Sequence, residues 1–228
     1  MPNDRMDPLR VIAIDGPAAS GKSSIAREVA RRLGWIFVNT GHMYRAATWA
    51  ALRDGIDPTD FEAVTAHSVQ WRISCSINGE RSIVMVDDRD IESELSSPAV
   101  NGAVSHVSTV PAVREKLVLI QRELGKQYPV VMEGRDIGTH VFPDAPVKFY
   151  IDASMKVRMQ RRALQGQTDS LEERDRIDST RATAPLKIAD DAIVVDSSDL
   201  NFDQVLDRLM DELAQRGYKP QVAAHTSP

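Results

Sequence analysis

Gly16-Pro17-Ala18-Ala19-Ser20-Gly21-Lys22-Ser23 fits the pattern G-x-x-x-x-G-K-[ST], whose chemistry is the binding of phosphate. Glycines let a chain turn tightly enough for successive backbone N–H groups to converge on phosphate oxygens. A helix that starts where the loop ends adds its partial positive N-terminus. In such a loop Lys22 brings a point charge to transferring phosphates and Ser23 a hydroxyl ligand to Mg2+, with Ser24 closing the segment. A nucleoside triphosphate is the ligand that uses all of these groups at once.

Arginines are the second chemical signal. Phosphoryl transfer between two phosphate esters brings two polyanions together, and that repulsion must be offset. The acceptor oxygen is already anionic, so catalysis is mostly positioning and charge stabilisation, with no strong base required. Arg158, Arg161 and Arg162 stand at i, i+3 and i+4, on a stretch that Ser154 can cap. Arg174, Asp178 and Arg181 stand at i, i+4 and i+7. Alone, each set reads as a solvated, salt-bridged surface. Behind a phosphate loop, each reads as part of a mobile helical lid.

Two more arginines follow apolar runs. Gly134-Arg135-Asp136 comes directly after Val130–Met132, and Thr40-Gly41 after Ile36–Val38, with Tyr44-Arg45 one helical turn on. These are the carboxyl ends of strands, where open α/β sheets bind ligands. Loop arginines paired with nearby acids are the alternative; two at separate strand ends favour a converging phosphate site.

The elements that must position these residues are legible as runs. Val11–Ile14, Ile36–Val38, Val130–Met132, Val147–Ile151 and Ala192–Val195 read as five strands of a parallel sheet, separated by helical patterns. Ile25, Val29, Ala30 and Leu33 recur at helical spacing behind the loop. The gap from Val38 to Val130 is too long for a simple crossover and reads as an insertion. Within it, Trp71–Ile77 and Arg81–Val86 flank Asn78-Gly79, a strong hairpin signal. Val113, Leu117, Ile120 and Leu124 mark one helix, and Phe202, Val205, Leu206, Leu209 and Leu213 another. The expected architecture is α/β: a five-stranded parallel sheet flanked by helices, an inserted unit with a small hairpin, and a short helical lid. Its divisions would be a core of 9–38 and 127–218, an insertion of 39–126, a lid of 155–182 and a flexible tail of 219–228.

Composition narrows the class. With 42% hydrophobic and 27% charged residues among 228, the chain reads as an ordinary globular protein. A net charge of −5 argues against broad nucleic-acid binding. Cys75 is the single cysteine, so no intrachain disulfide forms, and a reducing cytoplasm is the expected compartment. Met1 to Arg10 carries no apolar leader, and no long apolar run suggests a membrane span. The histidines are scattered without metal-ligand spacing, so no zinc site is expected.

Four ordered segments resemble the bacterial cytidylate kinases. These are Ile14-Asp15-Gly16-Pro17 with Gly21-Lys22-Ser23, Thr40-Gly41-His42-Met43-Tyr44-Arg45, Gly134-Arg135-Asp136-Ile137-Gly138-Thr139, and Asp178-Ser179-Thr180-Arg181 with Ala184-Pro185-Leu186. The likeness runs from about Val11 to Ser198, and the segment from Gly134 with Phe142-Pro143-Asp144-Ala145 behind it is its most specific part. The resemblance implies a P-loop nucleoside monophosphate kinase that moves the ATP γ-phosphoryl in line onto the α-phosphate of CMP or dCMP. Gly16 to Ser24 would hold ATP, with Ser23 on Mg2+. Arg45 and Arg135, with Thr40 and Tyr44 beside them, would grip the acceptor phosphate. Asp136, Arg174 and Asp178 would lie near its sugar and phosphate, Asp178 reading the sugar. Ser105, Arg114 and Arg181 would face cytosine, whose O2 and N3 accept and whose amino group donates. Lys22, Arg135, Arg158 and Arg161 would act in transfer, the last two from the lid.

The segment Ala163–Glu173 is shorter than in long members of that family, which bears most on Arg158, Arg161 and Arg174. Glu133 either orders Mg2+ through water or pairs with an arginine. Rival readings are UMP or a non-nucleotide alcohol as acceptor, the latter with Asp15 or Asp136 as base, and a nucleotide-dependent switch without transfer. The expected partners are small molecules only, with no nucleic acid or membrane, and nothing demands more than a monomer.

Overall fold

The computed structural model describes residues 9–164, 166–167 and 170–221. The five expected strands are present: β1 (Val11–Asp15), β2 (Ile36–Asn39), β6 (Val130–Gly134), β7 (Val147–Asp152) and β8 (Ile193–Asp196). They lie in the order β2-β6-β1-β7-β8 and every neighbouring pair is parallel. Val11 to Ile14 are all fully buried, because helices cover both faces of the sheet. That is why these strands read as continuous apolar runs rather than alternating ones.

On one face Ile12, Ile14, Val131 and Phe149 pack against α1 (Lys22–Leu33) and α8 (Phe202–Gln215), through Ile25, Val29, Leu206 and Leu209. On the other, Val11, Ala13, Val38 and Met132 meet α2 (Thr40–Arg53) and α5 (Pro111–Gln127). Side chains cap the helices at places the sequence marks. Asn39 accepts from the His42 N–H at the start of α2, and Asn201 forms a capping box with Gln204 at the start of α8. Gly34 ends α1 in the left-handed conformation.

The insertion is continuous with the sheet. It contains α3 (Phe61–Ser68), the hairpin β3 (Ile73–Asn78) and β4 (Arg81–Val86), the short β5 (Arg89–Asp90) and α4 (Pro98–Val107). The hairpin turns at Asn78-Gly79 as its residues imply, and it extends the core sheet to eight strands. One parallel pairing, Phe37 with Arg81, makes that join. Trp71, Val84, Ile91 and Leu117 therefore share one apolar cluster with Val11, Val38 and Met132.

Beyond β7, α6 (Met155–Leu164) and α7 (Leu171–Thr180) form the expected helical pair. At the other end Tyr218 meets Trp35 edge-on, and the Gln221 N–H donates to the Arg32 carbonyl at 2.8 Å. The expected tail beyond Gln221 lies outside the described residues. Among the described residues, no helix is long and apolar enough to cross a membrane.

Candidate active site

The phosphate loop joins β1 to α1, as its flanks require. Gly16 cannot carry a side chain, since a Cβ there would come within 2.1 Å of the Ile151 carbonyl oxygen. Gly21 sits at φ 94, and no side chain caps the first turn of α1, which also lacks acidic residues. That first turn is left to an anion. Lys22 Nζ donates to the Pro17 carbonyl across the loop at 2.8 Å. Burial, then the nearby Arg135, pushes its ammonium down to about 7.

The loop is braced from behind by α6. Arg158 reaches the carbonyls of Ala18 (3.3 Å) and Ala153 (3.0 Å) and pairs with Asp175 at 2.7 Å. Arg161 reaches the Ser20 carbonyl at 3.0 Å and both the hydroxyl and carbonyl of Ser197. These two expected lid arginines thus hold loop carbonyls and do not line the cleft.

That cleft has a volume of about 460 Å³. Ala18, Ala19, Gly21, Lys22, Ser23 and Ser24 form one wall, and Thr40, Tyr44, Arg45, Ser105, Arg135, Asp136, Arg174, Asp178 and Arg181 contribute to the rest. Gly16, Pro17 and Ser20 shape the loop without lining it, and Arg114 is buried behind the wall. Several residues that the sequence argument did not assign to the site also line it. Arg27 stands one helical turn after Ser23 on α1, and Asn101 one turn before Ser105 on α4, so helical spacing alone pointed to both. His42 lines it too, and so do two residues that the sequence had singled out, Arg162, the third arginine of α6, and Glu133.

The acceptor side is built on the ends of β2 and β6. Thr40 Oγ1 donates to the Glu133 carbonyl at 2.8 Å, locking the two strand ends together. Arg45 is oriented by the Leu95 carbonyl (3.0 Å) and by Asn101 Oδ1. Arg135 Nε donates to Asp178 Oδ2 at 2.8 Å, linking β6 to α7. Asp136 accepts a hydrogen bond from Arg114 on one oxygen and forms an ion pair with Arg181 through the other at 3.1 Å. Arg114 also stacks over the Tyr44 ring at 5.5 Å, and burial pushes the Tyr44 hydroxyl up to about 12. Asp15 accepts from the N–H groups of Ile137 (2.8 Å) and Gly138 (2.7 Å).

Although the chain is acidic overall, its cleft is basic. Lys22, Arg27, Arg45, Arg135, Arg162, Arg174 and Arg181 outnumber Glu133, Asp136 and Asp178. A basic, partly enclosed cleft concentrates field on an anionic ligand. Parallel sheet, phosphate loop and facing arginine wall together define an α/β protein of the P-loop type.

Residues 12–215 match the family model described as Cytidylate kinase. The chain is 45% identical over 218 residues to a cytidylate kinase of Mycolicibacterium paratuberculosis, covering 90% of this chain and 96% of that one. It is 46% identical over 220 residues to one of Rhodococcus jostii, covering 90% and 95%. A third, from Bacillus pumilus, is 43% identical over 211 residues, covering 88% and 94%. This chain belongs to the cytidylate kinase family.

Proposed function

We propose that this chain transfers the γ-phosphoryl of ATP to the α-phosphate of CMP and dCMP, giving ADP with CDP or dCDP. One observation carries the reading beyond family membership: a phosphate loop and an arginine wall face each other across a single cleft. In this reading the loop from Gly16 to Ser24 cradles the donor phosphates and Lys22 neutralises charge on the group in transit. Arg135 and Arg45 hold the acceptor phosphate in line. Arg174 and Asp178 adjoin its sugar, and Ser105 and Arg181 its base. Arg114 acts on the base from behind, through Asp136, with which Arg181 also pairs. Arg158 and Arg161 serve transfer by holding the loop's shape, and Arg162 and Arg27 add charge beside the donor. The stretch 39–126 forms the acceptor side and 155–182 the closing element that excludes water.

The donor set beside the loop suits Mg2+. Ser23 Oγ donates a hydrogen bond to Glu133 Oε1 at 2.7 Å, which leaves hydroxyl lone pairs and a second carboxylate oxygen for a hard cation or its waters. When bound, Mg2+ offsets charge on the donor phosphates.

An alcohol acceptor finds less support. It needs a free carboxylate base, yet Asp15 has both oxygens on backbone amides and Asp136 has both on arginines. The test is coupled ADP release from Mg2+–ATP against CMP, dCMP, UMP, AMP, GMP and no acceptor. Turnover confined to the cytidine nucleotides is expected. Preference for AMP or GMP would overturn the acceptor assignment, and no stimulation by any acceptor would favour a nucleotide-binding switch.

A further inference from the structure

Asp15 ends β1, and the next residue opens the phosphate loop, yet its side chain serves the opposite wall. The carboxylate is 5% exposed, and its two oxygens accept the N–H groups of Ile137 and Gly138. Those amides open a π-helical turn, Ile137–Val141, that follows Arg135 and Asp136 directly. Within the turn, His140 and Val141 donate to the Asp136 carbonyl and Phe142 to that of Ile137. The leading amides of a helical turn have no carbonyl of their own to reach. Here the cap comes from another strand.

Resting on the reading above, we infer that Asp15 is a positioning residue for the acceptor: by capping this turn it fixes where Arg135 and Asp136 stand. Only a carboxylate fits the task. A side-chain amide of the same shape has a single oxygen and would set its NH2 group against one of the two amides. A buried N–H left facing another donor is costly, and the turn must shift to relieve it. The turn is closely packed at Gly138. At Gly138 a Cβ would already be 3.1 Å from the Lys148 side chain and 3.4 Å from Asp15 Oδ2. The molecule keeps this carboxyl despite burial, which pushes it up to about 7 against the pull of the Gly138 and Ile137 amides.

The donor side has separate support. The loop is held by Lys22 on Pro17 and by Arg158 and Arg161 on Ala18 and Ser20. Loss of the Asp15 cap should therefore divide its effect unequally between the substrates. A contact that merely stabilised the fold would not do so.

The experiment compares wild type with Asp15→Asn, measuring KM for CMP at saturating Mg2+–ATP and, separately, ATP affinity by calorimetry. The expected result is a KM for CMP raised roughly tenfold to hundredfold, as for an ångström-scale misplacement of a positioning group. ATP affinity should stay within about twofold on the same argument. Should Asp15→Asn not fold, Asp15→Ser, whose hydroxyl can serve only one amide, carries the same measurement. An unchanged KM for CMP, or equal losses toward both substrates, would overturn the inference while wild-type turnover stood. A wild type that failed to turn over CMP would instead remove the functional reading, and the inference with it.

Discussion

Ser23 and Glu133 are joined by a hydrogen bond of 2.7 Å, so the first turn of α1 is tied to the end of β6 at the floor of the cleft. The hydroxyl donates, and Glu133 lies buried with its charge turned toward the donor side. Replacing the carboxylate with an amide keeps the shape and the acceptor oxygen but removes the charge that favours a divalent cation. Glu133→Gln should raise the Mg2+ concentration needed for half-maximal ADP release about tenfold, the usual effect of losing a group that orients a metal's ligand. A Mg2+ titration checks this, and an unchanged midpoint would detach Glu133 from the cation.

The brace behind the loop predicts a stability effect at a residue that never reaches the cleft. Arg158 is 6% exposed and pairs with Asp175 as well as with two carbonyls. Arg158→Met should cost about 3 kcal/mol in urea unfolding, because an acid and two acceptors lose their partner together. KM for ATP should rise as well, since the carbonyl of Ala18 loses its anchor. A variant of full stability with weakened ATP binding would instead place Arg158 on the nucleotide.

Lys22 predicts a linkage with protons. Burial and Arg135 lower its ammonium from an ordinary 10.5 to about 7. Between those values the unfolded chain binds more protons than the folded one, so this group makes stability rise with pH from about 7 to 10.5. Donor phosphates restore the charge. ATP binding near pH 8 should therefore take up as much as one proton. Calorimetry in two buffers of different ionisation enthalpy measures it, and zero uptake would mean that Lys22 is already charged in the free protein.

Arg181 sits 3.1 Å from Asp136 at the inner end of the acceptor wall. Arg181→Ala should lower kcat/KM for CMP about a hundredfold, as expected when one partner of a buried charged pair is truncated. ATP affinity should hardly change. A large loss of ATP affinity would put Arg181 on the wrong substrate.

The parts of this molecule that local chemistry decides were the legible ones. Short apolar runs announced the five parallel strands, and Gly16 to Ser23 announced the loop between the first of them and α1. The attachment of the hairpin was not legible. It depends on one non-local pairing, Phe37 with Arg81, which leaves no trace in the spacing of either segment. The α6 arginines show the same limit. Spacing of three and four residues says that Arg158, Arg161 and Arg162 share a helical surface, not which neighbour each one meets. The packing of α6 turns the first two toward loop carbonyls and the third toward the cleft. Asp15 itself stood out in the sequence, but what it holds did not, because its partners Ile137 and Gly138 act through backbone amides that any residue other than proline supplies.

The strand order also sets a timetable for synthesis. β1 is made first and stands between β6 and β7, so Val11 pairs with Val130 and Ile12 with Val147. At roughly 5–20 residues per second, a ribosome needs between about 6 and about 27 seconds to supply those partners. Throughout that interval the first strand, fully apolar from Val11 to Ile14, has neither edge covered. Ile151, whose carbonyl lies against Gly16 of the phosphate loop, arrives later still. The strands that flank the one leading into the phosphate loop are therefore missing for more than a hundred residues of synthesis, and the early life of the chain depends on keeping one sticky strand out of reach of others.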